Sequence, residues 1–329
     1  MERFIREIKA FLESYHLKVN KVRSGLGFES ISLNLSPHDS LHTLLLVGII
    51  AESIEESSSQ EAAIQVEIGQ ICSDTGHYPL IVTEDRWRRQ GDMMRARILS
   101  HLQLFTQIYA RNCELRRIDR SIAREFLNAN HSYGDAACRY CYGLFLKRHT
   151  GHNAILSDPA DATAIPDRHS AGDLIAVATF SNARKWIKGD KVIRSYEWTR
   201  YASLPGVRLS GGMGKALKAF IEDVQPDDIM TYADLEWSEG SVYERLGFTL
   251  EGSRPAVSFI IDTADWSRIP ISSKATVGVD MPPPARGCPN EERAGVNGNC
   301  ALEDTPATAK RFFINLGSNK YRLKLTDYQ

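Results

Sequence analysis

Three glycines, Gly211, Gly212 and Gly214, follow a predicted strand and open directly into a predicted helix. Backbone amides at the start of a helix lie at the positive end of the helix dipole and can hold an anion such as a diphosphate. Glycine lets the main chain approach that group closely, while Ser210 precedes the cluster and Lys215 adds a positive charge. We therefore predict that these five residues bind an anionic cofactor, although a glycine cluster can also be a simple tight turn.

A tyrosine follows in the phrase "VYERLGF" at 242–248, after one further predicted strand. Acyl transfer from a thioester needs an anion cradle, a polarised carbonyl and a proton for the departing sulfur. The glycine turn can supply the cradle, and the phenol of Tyr243 can supply the proton. The alternative is a tyrosine that packs its ring under a sheet and leaves its hydroxyl in water.

The order of strand, glycine turn, helix, strand, helix with Y-x-x-x-GF and final strands resembles the GNAT acyltransferase superfamily over residues 116–271. "LSGGMG" fits the turn of that family, with Leu209 where Arg or Gln is usual. The resemblance implies that strand 192–201 splays from strand 228–234, that acetyl-CoA or a related acyl-CoA is the donor, and that Tyr243 is the acid.

The phrases "YEWTRYASLPGVRLSGGMGKALKAFI" and "FLNANHSYG" also resemble a phage-associated group that includes the Mom-type DNA-modification proteins. Those proteins attach a carbamoylmethyl-type group to the exocyclic amine of adenine in DNA. The resemblance implies an acceptor side lined by His131, Arg200 and Asp234, with a nucleobase in DNA as the acceptor.

Each acceptor-side residue also has a structural interpretation. Arg200 could pair with Asp234 in a buried salt bridge, and it should face away from Glu197, three residues earlier on the same predicted strand. His131 could cap a helix or act as a base. Asp234, at the end of its strand, could accept a proton from an amine.

The region before residue 116 predicts a smaller α/β domain, with a helix near 2–15, strand-like segments at 28–36 and 78–85, and an apolar-periodic segment at 61–72. The apolar run at 44–50 fits either a buried strand or a helix segment. "EDRW" at 84–87 and "YARNCEL" at 109–115 resemble the end of a very-short-patch-repair or homing-endonuclease-like domain found in those phage relatives. We expect a degenerate nuclease module that docks on DNA rather than cuts it.

Arginines are concentrated between residues 84 and 124, where ten Arg stand against five acids. We predict a long helix or helix pair here, and DNA docking through its arginine-rich face at 86–124. A solvated helix face is the alternative.

The whole chain has 329 residues, 43% apolar and 25% charged residues, and a net charge of −1, which favours a globular protein of two domains without a global field for nucleic acid or membrane. The fold class that we predict is α/β (α+β), with domains at 1–115 and 116–271. A flexible insert at 272–309 and a returning strand at 310–329 complete the chain. Strands 247–254 and 256–263 should form a pair.

Cysteine usage and the charged first helix favour the cytoplasm, with no membrane partner. Cys138 and Cys141, with His149 and His152 nearby, could suggest zinc, but residues three apart on a strand face opposite sides, so we predict no metal. Two other functions stay open: a DNA-binding, nuclease-derived protein of mobile-element origin whose GNAT-like domain is not catalytic, and an ordinary small-molecule or protein N-acetyltransferase.

Overall fold

The computed structural model of the protein describes residues 1–34, 42–148, 169–271 and 310–326. Within these residues, seven α-helices and seventeen strands form a mixed α+β architecture, and this confirms the predicted fold class. No helix in this part of the chain is long and apolar enough to cross a membrane.

The N-terminal part builds one four-stranded sheet. Its elements in chain order are α1 (Glu2–Glu13), β1 (Lys18–Gly25), β2 (Phe28–Asn34), β3 (His42–Val47), α2 (Ile54–Thr75), β4 (Leu80–Thr83), α3 (Glu84–Arg89) and α4 (Gly91–His101). The strand order is β1-β2-β3-β4, with β3 and β4 parallel and the other pairs antiparallel. Helix α1 buries Phe4, Ile8 and Leu12 at helical spacing. Strand β1 was missed by the sequence prediction because most of its side chains are polar and exposed.

The predicted helix or helix pair over 84–124 is wrong for residues 102–119, whereas α5 (Arg120–Asn130) agrees with the helix that the sequence predicts over 120–132. After His101 the chain continues as β5 (Thr106–Tyr109), a 3-10 turn (Ala110–Asn112), β6 (Cys113–Arg117) and α5. Strand β5 pairs in parallel with a segment about one hundred residues later, Val207–Ser210. This distant partner overrides the local helical pattern, since strand preference depends on what a segment packs against.

The C-terminal part is organised around an eight-stranded sheet, here called the central sheet. Its remaining elements, with those of a smaller neighbouring sheet, are β7 (Tyr140–Leu146), β8 (Leu174–Phe180), β9 (Arg184–Lys188), β10 (Lys191–Ser203), β11 (Val207–Ser210), α6 (Gly212–Val224), β12 (Asp228–Asp234), α7 (Ser241–Arg245), β13 (Thr249–Arg254), β14 (Ser258–Asp262), β15 (Ser267–Pro270), β16 (Lys310–Ile314) and β17 (Ser318–Lys324). The order in the central sheet is β13-β17-β12-β10-β8-β7-β6, with β9 attached to β10. Phe180, Trp198 and Phe220 lie in its main core cluster.

Strand β10 changes partner along its length. It pairs in parallel with β12 at only three positions, Ser195 to Glu197 against Asp228 to Met230. No pairing with β12 continues beyond Glu197. On its other edge β10 pairs with β8 from Trp198 to Ser203, with a register shift between Trp198 and Arg200. The two parallel strands therefore separate toward their carboxyl ends, as expected for strands 192–201 and 228–234.

The prediction of a β13–β14 strand pair is wrong. Strand β13 pairs with β17, whereas β14 joins β15 and β16 in a separate three-stranded sheet. Pro255, between the two strands, favours a change of direction there. The small sheet packs Ile261 and Phe313 against Ile64 and Ile68 of α2, so it connects the two parts of the protein. Residues 310–326 form two strands rather than one, and the predicted insert at 272–309 lies outside the described residues.

Candidate functional site

The glycine turn starts α6 directly after β11, the short strand that follows β10. Gly211 is the N-cap residue and has a φ of 77°, a left-handed conformation that favours glycine. A Cβ on Gly212 would lie 2.4 Å from the Tyr201 hydroxyl oxygen and 2.7 Å from Leu209, so only glycine fits there. The amides of Gly212, Met213 and Gly214 donate no hydrogen bond to any described residue. Gly211 is exposed and Met213 and Gly214 are half-buried, whereas Gly212 is buried. The start of α6 therefore has unpaired donors that suit an anion, and those of Met213 and Gly214 are the more accessible.

Ser210 and Lys215, the other two predicted cofactor-binding residues, have protein partners. The Ser210 hydroxyl accepts a hydrogen bond of 3.2 Å from Gln107. The Lys215 ammonium donates to the carbonyl oxygens of Ala110 at 3.0 Å and Cys113 at 2.5 Å. The ammonium is therefore held by the 3-10 turn after β5, and the free donors at the start of α6 are the backbone amides.

Tyr243 lies on α7 between the separating strands. Its ring packs edge-on against Trp198 of β10, with centroids 6.2 Å apart, and also contacts Phe248 and Tyr321. Burial raises the pKa of its hydroxyl, while a hydrogen bond with Thr231 of β12 and the charge of Arg200 act in the opposite direction. The phenol thus stays protonated at neutral pH and lies near both strands.

The gap and the glycine turn are adjacent. A Cβ on Gly214 would lie 3.4 Å from Leu246, which follows α7, so the start of α6 faces the segment that carries Tyr243. On the β10 side of the gap, three carbonyls already accept side-chain hydrogen bonds: that of Trp198 from Thr231, that of Thr199 from Arg200, and that of Arg200 from the Trp198 indole.

Asp234 pairs with a residue that the sequence analysis did not select. Its Oδ2 lies 3.5 Å from Arg86 of α3, and its Oδ1 accepts the Glu236 amide at 3.0 Å. The salt bridge between Asp234 and Arg200 that the sequence allows is not formed, since Asp234 pairs with Arg86. Burial raises the pKa of the Asp234 carboxyl, and the neighbouring Glu236 charge raises it further, although Arg86 and a hydrogen bond from Tyr133 lower it. Asp234 is therefore more basic than an exposed aspartate.

Arg200 of β10 is near both Tyr243 and His131, since its charge acts on both groups. The region around these side chains and Asp234 is here called the cleft. The Arg200 Nε donates to the carbonyl of Gly134 at 3.1 Å. Burial lowers the pKa of Arg200, and the carboxylate of Glu197 is the strongest opposing charge. The expectation that Glu197 and Arg200 face apart is wrong, because the register shift in β10 changes the alternation of its side chains.

The structure favours His131 as a hydrogen-bond donor rather than as the base that the sequence also allows. Its Nδ1 accepts the Tyr133 amide at 3.1 Å, so a neutral ring carries its proton on Nε2. Burial, together with the charges of Arg200 and Arg86, lowers the pKa of His131 to about 3. An imidazole in this setting offers an N–H rather than a lone pair. Its amide donates to Leu127 at the end of α5, so the capping position was correctly foreseen.

Arg86 belongs to a buried group of six charges that joins three parts of the chain, here called the charge cluster. Its members are Asp85, Arg86, Arg97, Asp234, Glu236 and Arg268. Glu236 is 2% exposed and accepts hydrogen bonds from Arg86 at 3.0 Å and from Arg268 at 2.9 Å. Arg268 also binds Asp85, while Arg97 donates to the carbonyls of Ile81, Glu236 and Trp237. Three positive and three negative side chains balance.

The ten arginines of 84–124 do not form one free basic face. Besides Arg86 and Arg97, six of them form ion pairs with acids of the protein: Arg88, Arg89, Arg95, Arg116, Arg117 and Arg120. Arg111 stacks on Tyr109. The charge excess read from the sequence is thus largely used within the fold, and it does not support DNA docking through a single helix over 86–124.

Metal-dependent nucleases of the resembled class use an E-x-K pattern to hold the metal, and one such sequence, Glu7-Ile8-Lys9, lies on α1. Glu7 accepts hydrogen bonds from the Trp87 indole and from Arg88, and these hydrogen bonds lower its pKa to about 2, with that of Arg88 contributing most. Lys9 lies 2.6 Å from Glu29. Both side chains therefore take part in structural contacts between the first helix and its neighbours.

Cys138 and Cys141 are neighbours, with their sulfur atoms 3.5 Å apart. The expectation that they face opposite sides is wrong, because β7 begins only at Tyr140 and Cys138 precedes it. Both are free thiols. Among the described residues no group of three His, Cys, Asp or Glu side chains has the arrangement of a metal site, and His149, His152, Cys288 and Cys300 lie outside them.

A separate cavity of about 340 Å³ lies between the N-terminal sheet and the segment after β12. His42, His77, His101 and Trp237 are among its lining residues, and none of the predicted site residues line it. Burial lowers the pKa of His101 to about 4. Four of its lining residues, Trp237, Ser238, Glu239 and Ser241, lie between Asp234 and Tyr243 in the chain.

Comparison of the chain with protein-family models and with curated proteins finds no match.

Proposed function

We propose that this protein is an acyl-type transferase that moves a group from a CoA-linked or related thioester to an amine, with a nucleobase of DNA as the acceptor. The supporting observation is the adjacency of two features: amides at the start of α6 with no acceptor among the described residues, and a protonated Tyr243 in the gap between β10 and β12. The GNAT and Mom-type resemblance agrees with this reading.

The donor is held by the glycine turn in this proposal. The amides of Gly212, Met213 and Gly214 bind the diphosphate, and the positive end of α6 favours its charge. Three carbonyls of β10 in the gap already accept side-chain hydrogen bonds, so backbone contacts from β10 contribute less than the helix start. Leu209 stands where Arg or Gln is usual in the resembled family and offers no hydrogen-bond donor from its side chain. We therefore expect modest affinity for the donor.

The chemical step uses residues from both walls of the cleft. The acceptor amine attacks the thioester carbonyl, the carbon–sulfur bond breaks, and the departing thiolate takes the proton of Tyr243. The amine loses a proton to Asp234, whose raised pKa makes it a better base than an exposed aspartate. Proton exchange with solvent resets both groups. The charge of Arg200 and the N–H of His131 stabilise negative charge on the carbonyl oxygen.

The test uses purified full-length protein, acetyl-CoA and a single-stranded DNA oligonucleotide. Free thiol release and mass spectrometry of the digested nucleosides are measured together. Tyr243→Phe should reduce product formation by about 100-fold or more, since general acid catalysis typically contributes that much, while CoA affinity stays within twofold.

The matched control is Tyr196→Phe, a buried tyrosine of the same core on β10, which should keep its activity. Thiol release with a free amine, but unmodified DNA, would favour an ordinary N-acetyltransferase. The transferase proposal is refuted if no acyl-CoA is turned over, or if Tyr243→Phe is as active as the wild type.

A further inference from the structure

Tyr133 presents an exposed aromatic ring beside the charge cluster. Its side chain is 44% exposed, although it lies between residues of the cleft. The guanidinium of Arg86 sits 4.8 Å from the ring centroid, and Arg86 itself is 6% exposed. One face of the ring is therefore backed by a fixed cation, and the His131 ring lies beside it, with the two centroids 6.5 Å apart.

The loop that carries Tyr133 is held in place by several hydrogen bonds. Gln90 donates to the carbonyl of Ser132 at 2.7 Å, and His131 accepts the Tyr133 amide. Arg200 holds the carbonyl of Gly134, and Arg120 binds Asp135 through both carboxylate oxygens. An exposed aromatic side chain on such a braced loop loses little conformational freedom when a ligand packs on it.

Tyr133 and Asp234 are both neighbours of the Arg86 guanidinium, which lies 4.8 Å from the ring centroid and 3.5 Å from Asp234 Oδ2. A hydrogen bond from the Tyr133 hydroxyl lowers the pKa of Asp234, and burial raises the pKa of that hydroxyl. A planar ring stacked on Tyr133 would therefore have its edge near the Asp234 carboxylate, which accepts hydrogen bonds. An aromatic face beside such an acceptor suits a heterocycle that bears an exocyclic amine.

We propose that Tyr133 is the stacking platform on which an unpaired nucleobase of single-stranded DNA binds, with its exocyclic amine toward Asp234. This inference rests on the proposed function, because it names the acceptor of that same cleft. Tyr133 is a positioning residue: its ring sets the orientation of the base, and Asp234 takes the proton.

The test is a binding measurement without donor. A single-stranded DNA oligonucleotide with one 2-aminopurine is titrated with the full chain, and stacking should quench its fluorescence. Tyr133→Phe keeps the ring and should keep the quenching. Tyr133→Leu should lose it and weaken binding by about tenfold, in the range found for base–aromatic stacking. Tyr15→Leu, on a tyrosine that packs on Phe11 at the end of α1, is the control and should behave as the wild type.

Because acyl-CoA is absent, a failure of the transfer chemistry does not affect this readout. Where transfer is active, Tyr133→Leu should raise the KM for the oligonucleotide at least tenfold, while Tyr133→Phe lowers mainly kcat. The inference is overturned if the wild type does not quench the probe, if Tyr133→Leu binds and quenches as the wild type does, or if an oligonucleotide abasic at the probe position competes equally.

Discussion

Replacing Glu236 with Gln should destabilise the protein strongly, because this carboxylate is shared by two arginines. Glu236 accepts hydrogen bonds from Arg86 and Arg268 and is 2% exposed. The substitution keeps the volume but removes one of three negative charges, so the charge cluster changes from balanced to a net charge of +1. Breaking a buried ion pair from one side typically costs about 3–5 kcal/mol.

We expect a value near the lower end, about 3 kcal/mol, since the amide oxygen of Gln can still accept one hydrogen bond. For a chain of this size that corresponds to a melting temperature lower by about 4 °C. Thermal unfolding followed by circular dichroism measures it directly. Because Arg86 also backs Tyr133, the variant should bind the 2-aminopurine oligonucleotide more weakly as well.

The control is Glu251→Gln. Glu251 lies 2.6 Å from Lys320 and 2.8 Å from Arg322, but its side chain is 37% exposed. Water screens such a pair, so the change should cost no more than about 1 kcal/mol. If Glu236→Gln melts within 2 °C of the wild type, the charge cluster does not join the parts of the protein as argued.

Three further predictions concern the glycine turn, His131 and the cysteine pair. Gly214→Ala should raise the melting temperature slightly, since alanine is favoured over glycine by about 1 kcal/mol in a helix and the new Cβ meets only Leu246, at 3.4 Å. The same variant should weaken CoA binding in calorimetry. Gly212→Ala should instead lower the melting temperature, because its Cβ would clash with Tyr201. As pH falls from about 6.5 toward about 3, the unfolded state protonates His131 before the folded state does, so stability should fall by at most about 1.4 kcal/mol per pH unit from this group. His131→Gln should show a shallower loss in urea titrations at several pH values, and an equal slope would contradict the burial argument. Oxidised glutathione should join Cys138 and Cys141 with the loss of two hydrogens, detectable by mass spectrometry, whereas Cys138→Ser should give only mixed disulfides.

Elements with strong local patterns were predictable from the sequence. Helix α6 and strands β8, β10 and β12 lie close to where the sequence places them, because continuous apolar runs and the glycine turn give clear signals. The separation of β10 from β12 was expected from family resemblance rather than from periodicity. The sequence does not predict strands β5, β6 and β11, because such short strands acquire their structure from distant partners.

The candidate site was only partly predictable. Sequence reasoning selected Tyr243, Asp234, Arg200 and His131; in the structure the charge of Arg200 acts on Tyr243 and on His131, while Asp234 pairs with Arg86. It did not select Arg86 or Tyr133, although "EDRW" and "NHSYG" were both noted, because nothing local indicates that residues 86 and 234 meet across the chain. The charge excess over 84–124 was visible, but its internal partners were not, since pairing depends on the tertiary fold.

The position of β17 has a consequence for how the chain reaches its folded state during synthesis. Until Ser318–Lys324 has emerged, β12 has no antiparallel neighbour and β13 has no partner in the central sheet. Two strand edges would stay unpaired while the intervening residues are made, and such edges attract other strands. A nascent chain stopped before residue 318 is therefore expected to associate with chaperones or with itself, and the cleft beside β12 is completed only late.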